Sequence, residues 1–374
     1  MRVLFLLDEV FATRERPLIE RLEVGLADEG VRVVRAVPDS LREAQAGGFF
    51  VQTATFTLAG MPLSRQARVR RLLDQVSGAD DRPIDVVHVM GGAAWGFAAT
   101  AARLAGAPLV LEVWRAGLAG RVRAVRTALG GASPLIALCP DEGTHGELGA
   151  AGLGDIARVA PWGVHVTERE RPAFSADVAT SIFMVGSGRD ARAFSACMEG
   201  LVRAIPNSSD ARVYLDADAA RRSRLWPVLR RLNLTDRVSL IDALEARREL
   251  VLVGDALLVP EAVGEHRTIV LDAMGAGMAV LAAYDARIAW MLDGVTARLV
   301  GATVPAGAPP GPASADAWAD AIRDLVLNPE AGRALGRSAR VHVQEHRRAS
   351  AHVAAVMGVY SSLAGATTAG SIGL

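Results

Sequence analysis

Short apolar runs rich in valine, isoleucine and leucine recur along the first half of the chain. They lie at Val3 to Leu7, Val31 to Val34, Val86 to Val89, Leu109 to Val113 and Leu135 to Leu138. Between them the apolar spacing turns helical: Leu18, Leu22 and Leu26 fall every four residues, and Ala94 to Leu104 reads as a small-residue helix. Runs that are apolar throughout, rather than alternating, predict strands covered on both faces. Strand, helix, strand in that order predicts a parallel, doubly wound sheet.

The alternation breaks at Pro161-Trp162-Gly163 and restarts with runs at Ile182 to Val185, Val213 to Leu215, Val238 to Ile241, Ala256 to Val259 and Ala279 to Ala282. A helix is expected from beyond Ala262 through Ala276. The sequence thus divides into a Rossmann-like domain at 1–166, a charged, proline-containing linker at 167–180, and a second Rossmann-like domain at 181–345. Residues 346–374 form a C-terminal helix and tail, a candidate to pack back on the first domain, with fraying expected from Gly365 onward. The Pro-, Gly- and Ala-rich stretch at 304–314 reads as a surface loop. Ligands of such sheets bind beyond the carboxyl ends of the strands, so the cleft between two such domains is the expected site.

Composition narrows the function classes. With 51% apolar residues in 374, each domain can bury its own core. Equal numbers of basic and acidic residues, 41 of each, argue against nucleic acid as a partner. Every basic residue is an arginine, so any cation holding a phosphate must be one. The two cysteines, Cys139 and Cys197, form neither a disulfide framework nor a metal cluster, and a reduced, cytoplasmic setting is expected. The first residues are too short an apolar run for a signal segment, and no stretch approaches the roughly 20 apolar residues that span a bilayer. Arg65, Arg68, Arg70 and Arg71 form either a solvated helix face or a peripheral contact with an anionic membrane. His342 and His346 have a spacing that metal sites use, but no accompanying ligand motif, and no metal is expected.

One long block carries a family resemblance. From Asp255 to Val300 the chain reads DALLVPEAVGEHRTIVLDAMGAGMAVLAAYDARIAWMLDGVTARLV. Its ordered pieces are Pro260 at a strand end, the acid Glu265, Asp272-Ala273-Met274-Gly275-Ala276-Gly277, and the turn Asp293-Gly294-Val295-Thr296. In this order they resemble the family-4 retaining glycosyltransferases. Asp85 to Gly92 and Ala160-Pro161-Trp162-Gly163-Val164 add weaker similarity, so the resemblance covers most of the chain and is strongest after Asp236. It implies the GT-B fold, two doubly wound domains facing across a cleft, and transfer of a sugar from a nucleoside-diphosphate sugar. Transfer would proceed with retention and without metal or other cofactor. The acceptor would be a glycan, a lipid or a small molecule, reached in the cytoplasm or at the inner face of the membrane.

The resemblance also implies residues. Asp272 stands where the family has a ribose-binding glutamate, one methylene shorter. The family's sugar-binding acid falls at Gly264, with Glu265 beside it. If the helix begins there, Glu265 and Asp272 share a face and Glu265 replaces the missing acid; otherwise it is a favourable charge at a helix start. Thr268 belongs to the same helix start, which would meet the donor phosphates. After Val185 the family's arginine position is taken by Ser187. Arg192 falls at its lysine position, and Arg189 is the substitute for the arginine; the alternative for both is an exposed helix cap. Glu265 and Arg192 are therefore the catalytic candidates, and Arg189, Arg192, Glu265, Thr268 and Asp272 the donor-binding ones. On the acceptor side, the acidic loop Asp8-Glu9-Val10-Phe11 replaces a glycine-rich one, leaving Glu9 as a candidate for acceptor hydroxyls. Trp114 occupies a position where the family tends to place a histidine, as a sugar-stacking platform or as packing. With so many positions substituted, a GT-B pair that has lost turnover and kept sugar or nucleotide affinity is the alternative reading.

Overall fold

The structure is a computed structural model that describes residues 1–42, 52–60, 64–78, 82–166, 173–174, 179–205, 211–301 and 312–370. Most of the expected linker at 167–180 and of the loop at 304–314 lies outside the described residues. The chain forms two compact units, one of Met1–Trp162 with Ala349–Leu374, the other of Gly163–Arg348.

Unit 1 runs β1 (Arg2–Leu7), α1 (Glu9–Arg14), α2 (Arg16–Asp28), β2 (Arg32–Pro38), β3 (Gln52–Phe56), α3 (Arg65–Ser77), β4 (Val86–Met90), α4 (Trp95–Ala105), β5 (Leu109–Glu112), α5 (Ala119–Leu129), β6 (Leu135–Cys139), α6 (Glu142–Ala150) and β7 (Ala157–Val159). Its sheet is parallel throughout, in the order β3-β2-β1-β4-β5-β6-β7. The chain therefore reverses its direction of growth between β1 and β4.

Unit 2 runs β8 (Ser181–Met184), α7 (Ala191–Ala204), β9 (Arg212–Asp216), α8 (Ala217–Arg222), α9 (Trp226–Arg231), β10 (Val238–Ile241), α10 (Arg248–Val251), β11 (Ala256–Val259), α11 (Thr268–Gly275), β12 (Ala279–Ala283), β13 (Arg298–Val300), α12 (Ala315–Val326) and α13 (Pro329–His346). This sheet, also parallel, has the order β10-β9-β8-β11-β12-β13, with its switch point between β8 and β11.

The uninterrupted apolar runs are the central strands, buried along their length because helices cover both faces. Local signals set the helix ends. Asp190, Ser314 and Asn328 cap α7, α12 and α13 with side-chain oxygens, and Pro329 opens α13. Gly336 lets α13 pass close to Gly277, whose carbonyl oxygen would clash with any Cβ at that position.

The last helix, α14 (Ala349–Gly370), belongs to unit 1 and packs on α2. It runs to Gly370, past Gly365, where fraying was expected. A hydrogen bond of 2.6 Å between His88 Nδ1 and the Tyr360 hydroxyl ties it to β4. No described helix is long and apolar enough to cross a membrane.

Candidate functional site

In unit 2 the two segments that carry the candidate residues, 186–192 and 260–272, leave the neighbouring strands β8 and β11 at the switch point. Parallel sheets open a crevice there, beyond the strand ends. The segments are fastened together by a residue that the sequence reading passed over. The carboxylate of Glu261 accepts from the backbone N–H of Ser187, from Gly188 N at 3.1 Å and from Asp190 N at 2.8 Å, and from the Ser187 hydroxyl at 3.0 Å. The turn Gly186-Ser187-Gly188 thus presents its amides to an acid of the chain itself. An acid two positions past a strand end, beside a Gly-Ser-Gly turn on the adjacent strand, was the available signal.

Arg189 and Arg192 lie in and just after that turn, with Arg192 in the first turn of α7, and both are exposed. Neither makes an ion pair among the described residues. Their side chains, rather than the turn's amides, are the groups at this strand end that remain open to an anion.

Helix α11 begins at Thr268, so Glu265 precedes it, and the expected shared helical face of Glu265 and Asp272 is corrected. The chain at Gly264 has φ +65°, and Gly264 N donates to Asp285, which holds the segment off helical geometry. Glu265 is turned toward Arg267, 2.8 Å from its Nη2, and Arg267 is also paired with Glu245. All three are buried. This is an acid–base–acid cluster rather than a lone sugar-binding acid.

Thr268 and Asp272, four residues apart, do share a face of α11, and one residue engages both. Arg248 donates through Nη2 to the Thr268 hydroxyl at 2.9 Å, and its Nε is 3.4 Å from Asp272 Oδ2. Thr268 is fully buried, so its side chain positions Arg248. Arg248, on a four-residue helix that no periodicity announces, was not found from sequence. Next to this cluster, the Trp290 indole donates to His266 Nδ1 at 3.1 Å, which leaves the ring proton of a neutral His266 on Nε2. Gly186, Glu261, Glu265, Arg267 and Asp285 line an enclosed cavity of about 10 Å³, room for one water.

In unit 1 the switch point lies between β1 and β4. The expected acidic loop after β1 is instead the start of α1. Asp8 caps it, accepting from Phe11 N at 2.8 Å, and also accepts from Ala93 N at 3.1 Å. Burial raises the Asp8 carboxyl above its ordinary value. Gly91, at φ +94°, admits the Asp8 carboxyl where a Cβ would stand. Glu9 is exposed in the first turn of α1, so it is a helix-start charge as well as an acceptor candidate. Trp114 is half-buried and packs edge-on against Phe11 and Trp95, with centroids 6.5 Å and 5.8 Å away.

Beneath α14 lies a buried polar layer. Glu112, at the end of β5, is 1% exposed and accepts from the Trp162 indole at 3.1 Å. Burial pushes its carboxyl up to about 8. Burial likewise depresses His88 to about 3, helped by His352. Across the described residues, no group of three or more His, Cys, Asp or Glu is placed to hold a metal.

No protein-family profile matches the chain, and no curated protein matches it in sequence. Solved structures do match. HepE from Anabaena, in complex with UDP-glucose, superposes with a TM-score of 0.74 at 15% identity, covering 97% of this chain and 100% of that one. Sucrose-phosphate synthase from Thermosynechococcus elongatus gives 0.72 at 15% identity, covering 98% and 100%. WaaG, a glycosyltransferase of lipopolysaccharide biosynthesis, gives 0.59 at 13% identity, covering 96% and 99%. Two Rossmann-like domains with parallel sheets, in this order along the chain, have the GT-B fold of those glycosyltransferases.

Proposed function

We propose that the chain is a glycosyltransferase of the family-4 type that takes a nucleoside-diphosphate sugar as donor and transfers the sugar with retention, without metal or cofactor. The observation that carries this reading is the placement of Asp272, Arg189 and Arg192 on the two segments that leave the switch point of unit 2. Asp272, anchored by Arg248, supplies a carboxylate for ribose hydroxyls. Arg189 and Arg192 supply the cations for the diphosphate, since the turn amides already serve Glu261. In a retaining transfer without an enzyme nucleophile, the protein's work is positioning and charge stabilisation of the leaving diphosphate. The guanidinium groups suit that role. The acceptor belongs with unit 1, where Glu9 and Trp114 are the candidates. The matching HepE structures hold UDP and UDP-glucose, which favours a uridine donor.

A second reading, a GT-B protein that binds without turnover, draws on a different observation. Arg267 is engaged by two glutamates, Asp272 by Arg248, and the turn amides by Glu261. Calorimetric titration with UDP and GDP tests the donor site, using the unaltered protein, Asp272→Asn and Arg192→Gln. Binding of one nucleotide, weakened about tenfold or more in each variant, is expected. A folded protein that binds neither nucleotide rules the donor site out for both. Binding of the UDP-sugar with no slow release of free sugar selects the second reading.

A further inference from the structure

A groove in unit 1 has the makings of an anion site. It runs between α3, α4 and α5, encloses about 410 Å³, and is lined by Arg65, Arg103 and Arg121. No acid is among the described residues that line it, although the chain as a whole is neutral. None of these three arginines has a carboxylate within ion-pairing distance among the described residues. This contrasts with Arg35, Arg126, Arg248, Arg267 and Arg287, each of which is paired.

The groove is also built to stay open. Small residues, Gly96, Ala99, Ala124 and Ala128, form its walls. The Arg65 guanidinium lies so close over Gly96 that a Cβ there would stand 3.3 Å from Nη1. Arg121 is fixed by donating to the Gly92 carbonyl at 2.6 Å, and its guanidinium carbon sits 5.4 Å over the Trp95 ring. Trp95 lines the groove at 1% exposure, and its indole N–H has no hydrogen-bond partner among the described residues. A buried donor without an acceptor is a cost that a ligand oxygen, or the water it orders, removes.

We propose that this groove binds a phosphate-bearing ligand, with Arg65 and Arg103 closing on its charged oxygens and Arg121 holding the inner end. Forked guanidinium donors suit phosphate, and nothing in the lining repels it. The ligand's phosphate is either that of a soluble diphosphate or that of an anionic lipid headgroup. The inference does not depend on a nucleotide site in unit 2.

Inorganic pyrophosphate is the soluble probe, titrated calorimetrically at low salt against the full chain. Arg65→Gln with Arg103→Gln is the test variant. Arg70→Gln with Arg71→Gln, the same charge change on α3 outside the groove, is the control, and melting curves verify folding. Binding that falls roughly tenfold or more in the test variant, and persists both in the control and in Arg189→Gln with Arg192→Gln, supports the groove. Co-sedimentation with phosphatidylcholine vesicles, with and without phosphatidylglycerol, separates the sources. Retention only on the anionic vesicles, competed by pyrophosphate and lost in the test variant, assigns the headgroup. Pyrophosphate binding without retention assigns a soluble ligand. Equal losses in test and control variants indicate diffuse surface charge and overturn the proposal. So does a folded protein that binds neither probe.

Discussion

Replacing Glu112 by glutamine is expected to remove a pH dependence from the stability of unit 1, and the sign can be worked from burial. The carboxyl, ordinarily near 4.5, is pushed up to about 8 in the folded chain. Between those values the native state holds a proton that the unfolded chain has released. Stability therefore falls as pH rises through the window, by about 1.36 kcal/mol per pH unit. His88 works in the opposite sense. Its ring, ordinarily at 6.5, is depressed to about 3, so stability rises with pH across that span. The two slopes cancel between pH 4.5 and 6.5, leaving a plateau with a decline from 6.5 to about 8. Glutamine keeps an acceptor for the Trp162 indole and carries no charge. By about pH 8 the variant should exceed the parent by on the order of 4 kcal/mol, a melting difference on the order of 10 °C. Thermal melts of both proteins from about pH 5 to about pH 9 read this directly. Parallel curves above pH 6.5 would refute the claim that Glu112 is protonated in the fold.

Two further substitutions probe the framework. Glu261→Ala should lower the stability of unit 2 by about 2–4 kcal/mol, since several charge-assisted bonds to loop amides are lost together. Urea unfolding measures it, and an unchanged midpoint would mean that the turn at 186–190 does not rely on this acid. Tyr360→Phe strands the His88 ring nitrogen under α14, at a cost of about 1–3 kcal/mol, with faster amide exchange along α14 than along β6 as the local signature.

The fold was legible because its central strands are buried on both faces, and such strands announce themselves as unbroken apolar runs. The elements that went unread are those whose burial is partial. β3, reading QTATF, has only Ala54 and Phe56 buried, and β7 and β13 are three residues each at sheet edges. The site was legible at the level of segments. Thr268 does open the helix that carries Asp272, and Arg189 and Arg192 do follow β8, but the face expected for Glu265 and Asp272 is shared by Thr268 and Asp272 instead. What sequence could not give is partner choice. Arg248 reaches Asp272 from a four-residue helix 24 positions earlier, and Arg267 takes both Glu245 and Glu265. Pairings of that kind depend on how loops fold over strand ends, which periodicity does not encode. Asp272, standing where the resemblance expects a glutamate, read as a shortened reach, and the structure adds that Arg248 lies against this side chain.

A single device recurs at the strand ends of both units. Asp8 after β1, Asp141 after β6, Asp216 at the end of β9, Glu261 after β11 and Asp285 after β12 each accept from backbone amides of the loops around them. Asp216, for example, caps α8 through Ala219 N and also takes Leu244 N at 3.0 Å. Carboxylates satisfy loop amides that would otherwise be left to water or to a ligand, and they stiffen the loops that would form a binding site. The same arrangement sets the electrostatics. A strand end whose amides face a carboxylate of the chain has no surplus positive potential for a phosphate. Recognition of an anion is thereby shifted from backbone to side chain, and in a chain without lysine it falls to arginine. Arg189 and Arg192 in unit 2 and Arg65, Arg103 and Arg121 in unit 1 have no acidic partner among the described residues and lie at the two candidate sites, so anion binding should be sought there. Substitution of Arg189, Arg192, Arg65 or Arg103 should lower affinity while leaving melting temperature unchanged, the reverse of what is expected for Glu261.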